Sequence, residues 1–276
     1  MPPDAESRSV EVEGLRLHYL EQGGGEPVLL LHGWPTSSFL WRNVIPPIAA
    51  HNRAIALDLP GFGQSDKPLD ASYSFRYYDR VLSGFLDALG IDASGLAVHD
   101  LGGPVGLYWA SQHPERLRKL ALLNTLVYAR PSWAVIAFVV AARTPGVRSW
   151  LASPSGLAKA MRLGVHDKSR LTEEVIRGVR EPFETKEARR ALLNAGTGLH
   201  PRGFKEIERW LPSVDVPVRI VYGERDRILP DVAKTMRRVA TDIPSSPEVT
   251  ALPDCGHFLQ EDRPGEVALI LSDFFR

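Results

Sequence analysis

The sequence predicts an α/β architecture: a mainly parallel, eight-stranded sheet with helices on both faces and a helical insertion capping it. Three observations lead there. Short apolar runs of strand length alternate with segments of helical periodicity, the pattern of a parallel sheet buried on both sides. Polar residues stand just past several of these runs, namely His32, Asp58, Asp100, Asn124, Asp226 and His257. Ligand sites collect at such carboxyl ends of strands. Finally, residues 128–211 break the alternation and contain no convincing strand.

The elements follow in order. Val10 to Leu20 alternates loosely about Gly14 and reads as an opening hairpin. Pro27–Leu31 and Arg53–Asp58 are short apolar strands. Phe75 to Leu89 has helical spacing closed by Gly90. Gly95–His99 is a strand that two glycines break before a helix. Leu117–Leu123, Val218–Tyr222 and Glu248–Leu252 are further strands, and Gly265–Phe275 closes the chain as a helix. Between them, 128–211 is helical in pattern with Pro and Gly breaks. The expected division is a core of 1–127 and 212–276 with a cap of 128–211.

Bulk properties exclude several classes. The 276 residues are 44% hydrophobic and 24% charged, ordinary for a globular chain. Lys+Arg and Asp+Glu are 33 each, so the net charge of zero gives no ground for a nucleic-acid or anionic-membrane partner. A single cysteine, Cys255, excludes an internal disulfide and a thiolate zinc site. Met1–Ser9 is polar, without the apolar stretch of a signal peptide. The longest apolar run, Trp133 to Ala142, is ten residues, half the roughly 20 needed to cross a bilayer. A cytoplasmic protein without metal or cofactor is the expectation.

Asp100 carries the chemistry. A strand, a Gly-flanked turn and a helix frame a nucleophile elbow, which thrusts its central residue into a site. Serine is common there; this chain has an acid. A carboxylate attacks electrophilic carbon and forms an alkyl ester. Water must then cleave the ester, and a neutral imidazole can take its proton near neutral pH. A second carboxylate orients that imidazole. Asp226, in a polar loop after a strand, and His257, also just past a strand, supply both groups, and the order Asp100, Asp226, His257 is nucleophile, acid, histidine. The His32-Gly33-Trp34-Pro35 turn can aim a backbone N–H at the site, and with the N–H of Leu101 it would form an anion hole.

These segments resemble the α/β-hydrolase family, specifically the Asp-nucleophile branch of haloalkane dehalogenases and epoxide hydrolases. The resemblance spans nearly the whole chain. Trp34–Pro46 is similar to the dehalogenase oxyanion segment. Asp58-Leu59-Pro60-Gly61-Phe62-Gly63-Gln64-Ser65 resembles the family's Asp-x-x-Gly-x-Gly-x-Ser loop. His99–Gly103 resembles the Asp elbow, and Gly256–Pro264 the dehalogenase histidine segment.

The resemblance implies a monomer or weak homodimer that hydrolyses a small apolar substrate, with a dehalogenase-like activity ahead of epoxide hydrolysis. It implies a leaving-group clamp of two N–H-bearing side chains, often Asn after His-Gly and Trp after the nucleophile. Trp34 and Leu101 stand at those positions, and Leu101 has no donor. Trp34 or the cap residue Trp133 could substitute with an indole N–H. Phe39 and Tyr128 are further expected substrate contacts. An acid after the strand before the cap would fall near Asn124, so Asp226 is the better acid. Epoxide hydrolases use two cap tyrosines, yet Tyr128 is the only tyrosine between Ala110 and Leu211. A catalytically weak or ligand-sensing homologue is the remaining alternative, kept open by Leu101.

Overall fold

The computed structural model describes residues 5–276; Met1–Asp4, the start of the polar N-terminal stretch, lie outside the described residues. Eight strands form one sheet: β1 Glu6–Val12, β2 Leu15–Gln22, β3 Pro27–Leu31, β4 Arg53–Leu57, β5 Ser94–Asp100, β6 Leu117–Thr125, β7 Val218–Gly223 and β8 Glu248–Leu252. Their order is β1-β2-β4-β3-β5-β6-β7-β8. Only β2 runs antiparallel to its neighbours. The opening hairpin turns on Glu13 and Gly14, both at positive φ, the backbone a two-residue hairpin turn requires.

The described residues also form twelve α-helical segments: α1 Ile45–Ala49, α2 Phe75–Ala88, α3 Gly102–Gln112, α4 Trp133–Arg143, α5 Val147–Leu151, α6 Pro154–Gly164, α7 Glu173–Arg180, α8 Lys186–Thr197, α9 Pro201–Trp210, α10 Val232–Asp242, α11 Leu259–Asp262 and α12 Pro264–Phe275. The middles of the central strands, such as Leu29–Leu31, Leu96–Val98 and Leu120–Leu123, are apolar because both faces are covered. Leu29 and Leu31 of β3 lie in one core that also holds Tyr78, Leu82 and Phe85 of α2 and Met236 of α10. Val28 and Leu30 lie in a second core with Ile45 and Ile48 of α1 and Leu271 of α12. Each such buried side chain contributes about 1.5–3 kcal/mol over leaving it exposed.

Between β6 and β7 the chain forms only helices and turns. Four of them are started by the same local device. Ser132, Ser153, Thr172 and Thr185 accept a hydrogen bond from the N–H three residues on, at the first turns of α4, α6, α7 and α8. Among the described residues no helix is long and apolar enough to cross a membrane.

Candidate active site

Asp100 ends β5 and holds φ +48°, a conformation that costs a non-glycine residue about 1–3 kcal/mol. What holds it there is close packing on both sides of the turn. Gly102 lies against the carbonyls of Leu31 and His32, and a Cβ on Gly103 would overlap Thr125 Oγ1. That same hydroxyl donates to the Asp100 carbonyl at 2.6 Å. The strand β6 therefore braces the turn from beneath, and the Asp100 carboxyl projects from the sheet edge beyond it.

His257 and Asp226 meet Asp100 there. His257 Nδ1 lies 2.8 Å from Asp226 Oδ2, and Nε2 lies 3.4 Å from Asp100 Oδ2, an ion-pair contact rather than an aligned hydrogen bond. Asp226 is in turn fixed by the N–H groups of Ile228 and Leu229, at 2.8 and 2.7 Å, and by Asn124 Nδ2 at 2.7 Å. With an acid accepting at Nδ1, that nitrogen carries the hydrogen and Nε2 is left for chemistry. Burial opposes charge on His257, but Asp226 and Asp100 outweigh it and raise its pKa to about 10. Burial likewise opposes charge on Asp100, yet His257 holds its carboxyl below the usual value, so the resting pair is ionic. Beneath them, His99 is kept neutral, its pKa lowered to about 4 chiefly by burial, and it donates Nε2–H to the His257 carbonyl at 2.9 Å.

The second carboxyl oxygen faces backbone donors. Trp34 N–H donates to Asp100 Oδ1 at 2.8 Å, and the neighbouring Leu101 N–H helps to keep the carboxyl charged. Gly33 permits this approach, because a Cβ there would overlap the Asp100 side chain. His32 shapes the turn from inside: it accepts from Leu59 N–H at 3.1 Å and donates to Gly33 O at 3.0 Å.

Above Asp100 opens a cavity of about 430 Å³, bounded by Trp34 and Leu101 below, Phe138 of α4, Leu151, Ala160 of α6 and Phe258. Its lining is apolar apart from Asp100, the exposed Lys159 and Arg227, and the indole nitrogens. Trp34 Nε1 is buried, has no partner, and lies near Gly196 and the Phe138 ring. Trp133 reaches the cavity only at its rim, being 73% exposed.

Two expected substrate contacts lie elsewhere. Phe39 packs against Arg42 and Gly178 and lines a separate, polar cavity of about 490 Å³, because its short 3-10 turn faces α7 rather than Asp100. Tyr128 is held away from the cavity by its hydroxyl, which donates to Asp242 Oδ2 at 2.8 Å, and by the Arg238 guanidinium over its ring.

Residues that sequence reasoning did not single out hold the His257 loop. Buried Asp262 accepts from Gly256 N–H at 2.7 Å, His166 N–H at 2.9 Å and Asp167 N–H at 2.8 Å. It so ties that loop to the end of α6, and His257 N–H donates to Gly164 O at 2.7 Å alongside it. Glu261 pairs with both terminal nitrogens of Arg42 at 2.6 Å. The signal was two adjacent acids in a segment that closes on an apolar helix, where an unpaired buried charge would be costly. Among the described residues no group of three or more His, Cys, Asp or Glu is arranged to hold a metal ion.

Comparison with known proteins agrees with this fold. The profile of the alpha/beta hydrolase fold matches residues 26–264. A haloalkane dehalogenase of Sphingobium indicum is 32% identical over 297 residues, covering 99% of this chain and 96% of its own. An uncharacterized hydrolase of Bacillus subtilis is 31% identical, over 98% of this chain and 97% of its own. The crystal structure of the haloalkane dehalogenase DbeA from Bradyrhizobium elkani superposes with a TM-score of 0.87 at 27% identity, over 99% and 98% of the two chains. The chain belongs to the α/β-hydrolase fold family and is a hydrolase enzyme.

Proposed function

We propose that this enzyme is a haloalkane dehalogenase-like hydrolase working through an aspartyl–alkyl ester at Asp100. The observation that carries the reading is a carboxylate set between an imidazole and the Trp34 backbone N–H at the floor of an apolar cavity. In the first step an Asp100 oxygen bonds to the halogen-bearing carbon as the carbon–halogen bond breaks, and halide departs. In the second, His257 Nε2 takes a proton from water as the water oxygen bonds to Asp100 Cγ. The Trp34 and Leu101 N–H groups hold the oxyanion that forms. Collapse breaks the Cγ–O(alkyl) bond, and the alcohol leaves with the proton. Asp226 holds the imidazolium in between.

Esterification removes one of the two carboxylates that raise the His257 pKa, so the imidazolium gives its resting proton to solvent and stands neutral for the attack; after collapse it takes the Asp100 carboxylic proton and the ionic pair is restored. The helical stretch 128–211 would act as the cap that closes the cavity and selects small apolar substrates. Trp34 Nε1 is our candidate for the leaving-group donor, because it is a buried N–H with no partner beside the cavity, worth about 1–3 kcal/mol once satisfied. The epoxide alternative is weakened by the lining, which includes no tyrosine, serine or threonine hydroxyl to meet an opening ring oxygen.

The test is to offer the protein 1,2-dibromoethane and styrene oxide separately. Bromide release with little diol is expected. Diol without bromide would replace the reading by epoxide hydrolysis, and neither product would favour the ligand-sensing homologue.

A further inference from the structure

The zero net charge of the chain hides a strong local asymmetry. From residue 130 to residue 166 there is no aspartate or glutamate, but there are five cations: Arg130, Arg143, Arg148, Lys159 and Arg162. None of the five makes an ion pair among the described residues. The same stretch, α4 to α6, carries the chain's concentration of exposed apolar side chains. Trp133, Ile136, Val140, Val147, Trp150 and Leu163 are between 43% and 73% exposed. Only three other large apolar residues among those described, Leu69, Val249 and Leu269, are comparably exposed, and they are scattered singly along the chain.

These residues form one surface. Helix α4 packs on α5 and α5 on α6. Trp133, Trp150 and Leu163, one from each helix, meet with Lys159 around the mouth of the cavity over Asp100. On α4, Trp133, Ile136 and Val140 fall at i, i+3 and i+7, a single exposed stripe. Monomeric proteins rarely leave contiguous apolar surface of this kind without a partner.

Charge decides which partner. Apolar side chains with tryptophans, flanked by unpaired cations and free of acids, are the composition of a surface that lies in the headgroup boundary of an anionic bilayer. A second copy fits less well, because a two-fold contact would set the same five cations against themselves. We propose that α4–α6 seat on an anionic lipid surface, with the cavity mouth turned toward it. The docking stands on this surface alone. Its consequence, that apolar substrates enter from the lipid phase where they concentrate, rests on the proposed dehalogenase-like reading.

The test is flotation of the full chain with phosphatidylcholine vesicles, with and without phosphatidylglycerol, at low and high salt. Binding that requires phosphatidylglycerol and weakens as salt rises is expected. Ile136→Asp/Val140→Asp, outside the cavity lining, should abolish it, and Arg143→Ser/Arg148→Ser should lower the partition about tenfold or more. All four side chains are at least partly exposed, so near-ultraviolet circular dichroism should match wild type. A check needing no variant is quenching of wild-type tryptophan fluorescence by doxyl-labelled acyl chains, which carry no halogen, where quenching is expected. Equal partition with and without phosphatidylglycerol, no quenching, or a dimer that Ile136→Asp/Val140→Asp dissociates would overturn the proposal. None of these readouts depends on catalysis, so failure here leaves the dehalogenase-like reading standing, and the reverse.

Discussion

Replacing Gly103 by alanine should do more damage than any other single methyl added near the site. The new Cβ would overlap Thr125 Oγ1 and crowd Thr125 Cβ at 2.6 Å. Neither side can yield cheaply. Thr125 is buried on β6 and its hydroxyl is spent on the Asp100 carbonyl, while α3 begins at Gly102 directly under the sheet. Displacing the hydroxyl loses a hydrogen bond worth about 0.5–1.5 kcal/mol. Overpacking adds about 1–3 kcal/mol. The sum, about 2–4 kcal/mol, corresponds to a fall in Tm of roughly 4–16 °C for a chain of this size. Because Asp100 is displaced with the turn, kcat should fall about 10²-fold or more. Gly265→Ala is the control: nothing lies within 4 Å of its Cβ, and its melt should match or exceed wild type. In the double variant Gly103→Ala/Thr125→Ala the worst overlap is gone, so its loss should be smaller than the sum of the two singles by about 1 kcal/mol or more. Melting curves that add, or a Gly103→Ala protein as stable as wild type, would refute the bracing of Asp100 by β6.

Two further outcomes follow from the charges. Asp226→Asn should cut kcat by about 10²–10⁴-fold, since the amide cannot hold the Nδ1–H tautomer while also facing the N–H groups of Ile228, Leu229 and Asn124; steady-state kinetics within tenfold of wild type would remove Asp226 from the site. The pH dependence of stability carries a definite sign. His257 binds its proton more tightly folded than unfolded, so its contribution is complete below the free-histidine value of about 6.5 and declines as pH rises toward about 10. The difference in unfolding free energy between wild type and His257→Gln should shrink across that window, and parallel curves would contradict the raised pKa.

Much of this was legible in the sequence, for reasons that particular residues show. The strand stretches Leu120–Leu123 and Ile220–Tyr222 are unbroken apolar runs because both faces are buried there, so the existence and type of these strands could be read directly. Asp100, Asp226 and His257 could be brought together on paper because parallel strands put their carboxyl ends on one edge of the sheet. The cavity wall was not legible. Phe39 and Tyr128 were reasonable apolar contacts by position, but side-chain direction in a turn or after a strand depends on partners far along the chain, Gly178 and Asp242 here. The work of Asp262 was hidden for a related reason: its three donors come from residues separated from it by as little as six and as much as 96 positions. The basic, apolar surface of α4–α6 was concealed by a charge count averaged over the chain.

The central claim is that Asp100 is alkylated and that His257 is needed only afterwards. Intact mass spectrometry of His257→Ala after incubation with 1,2-dibromoethane tests it most directly. Cys255, buried and with its thiol pushed up by that burial, is a poor competitor for the reagent. The account expects one bromoethyl group per chain, on the peptide that contains Asp100, with one bromide released per enzyme and no turnover. An unmodified protein, where wild type consumes the same substrate, would contradict it, as would an adduct mapped to any other residue.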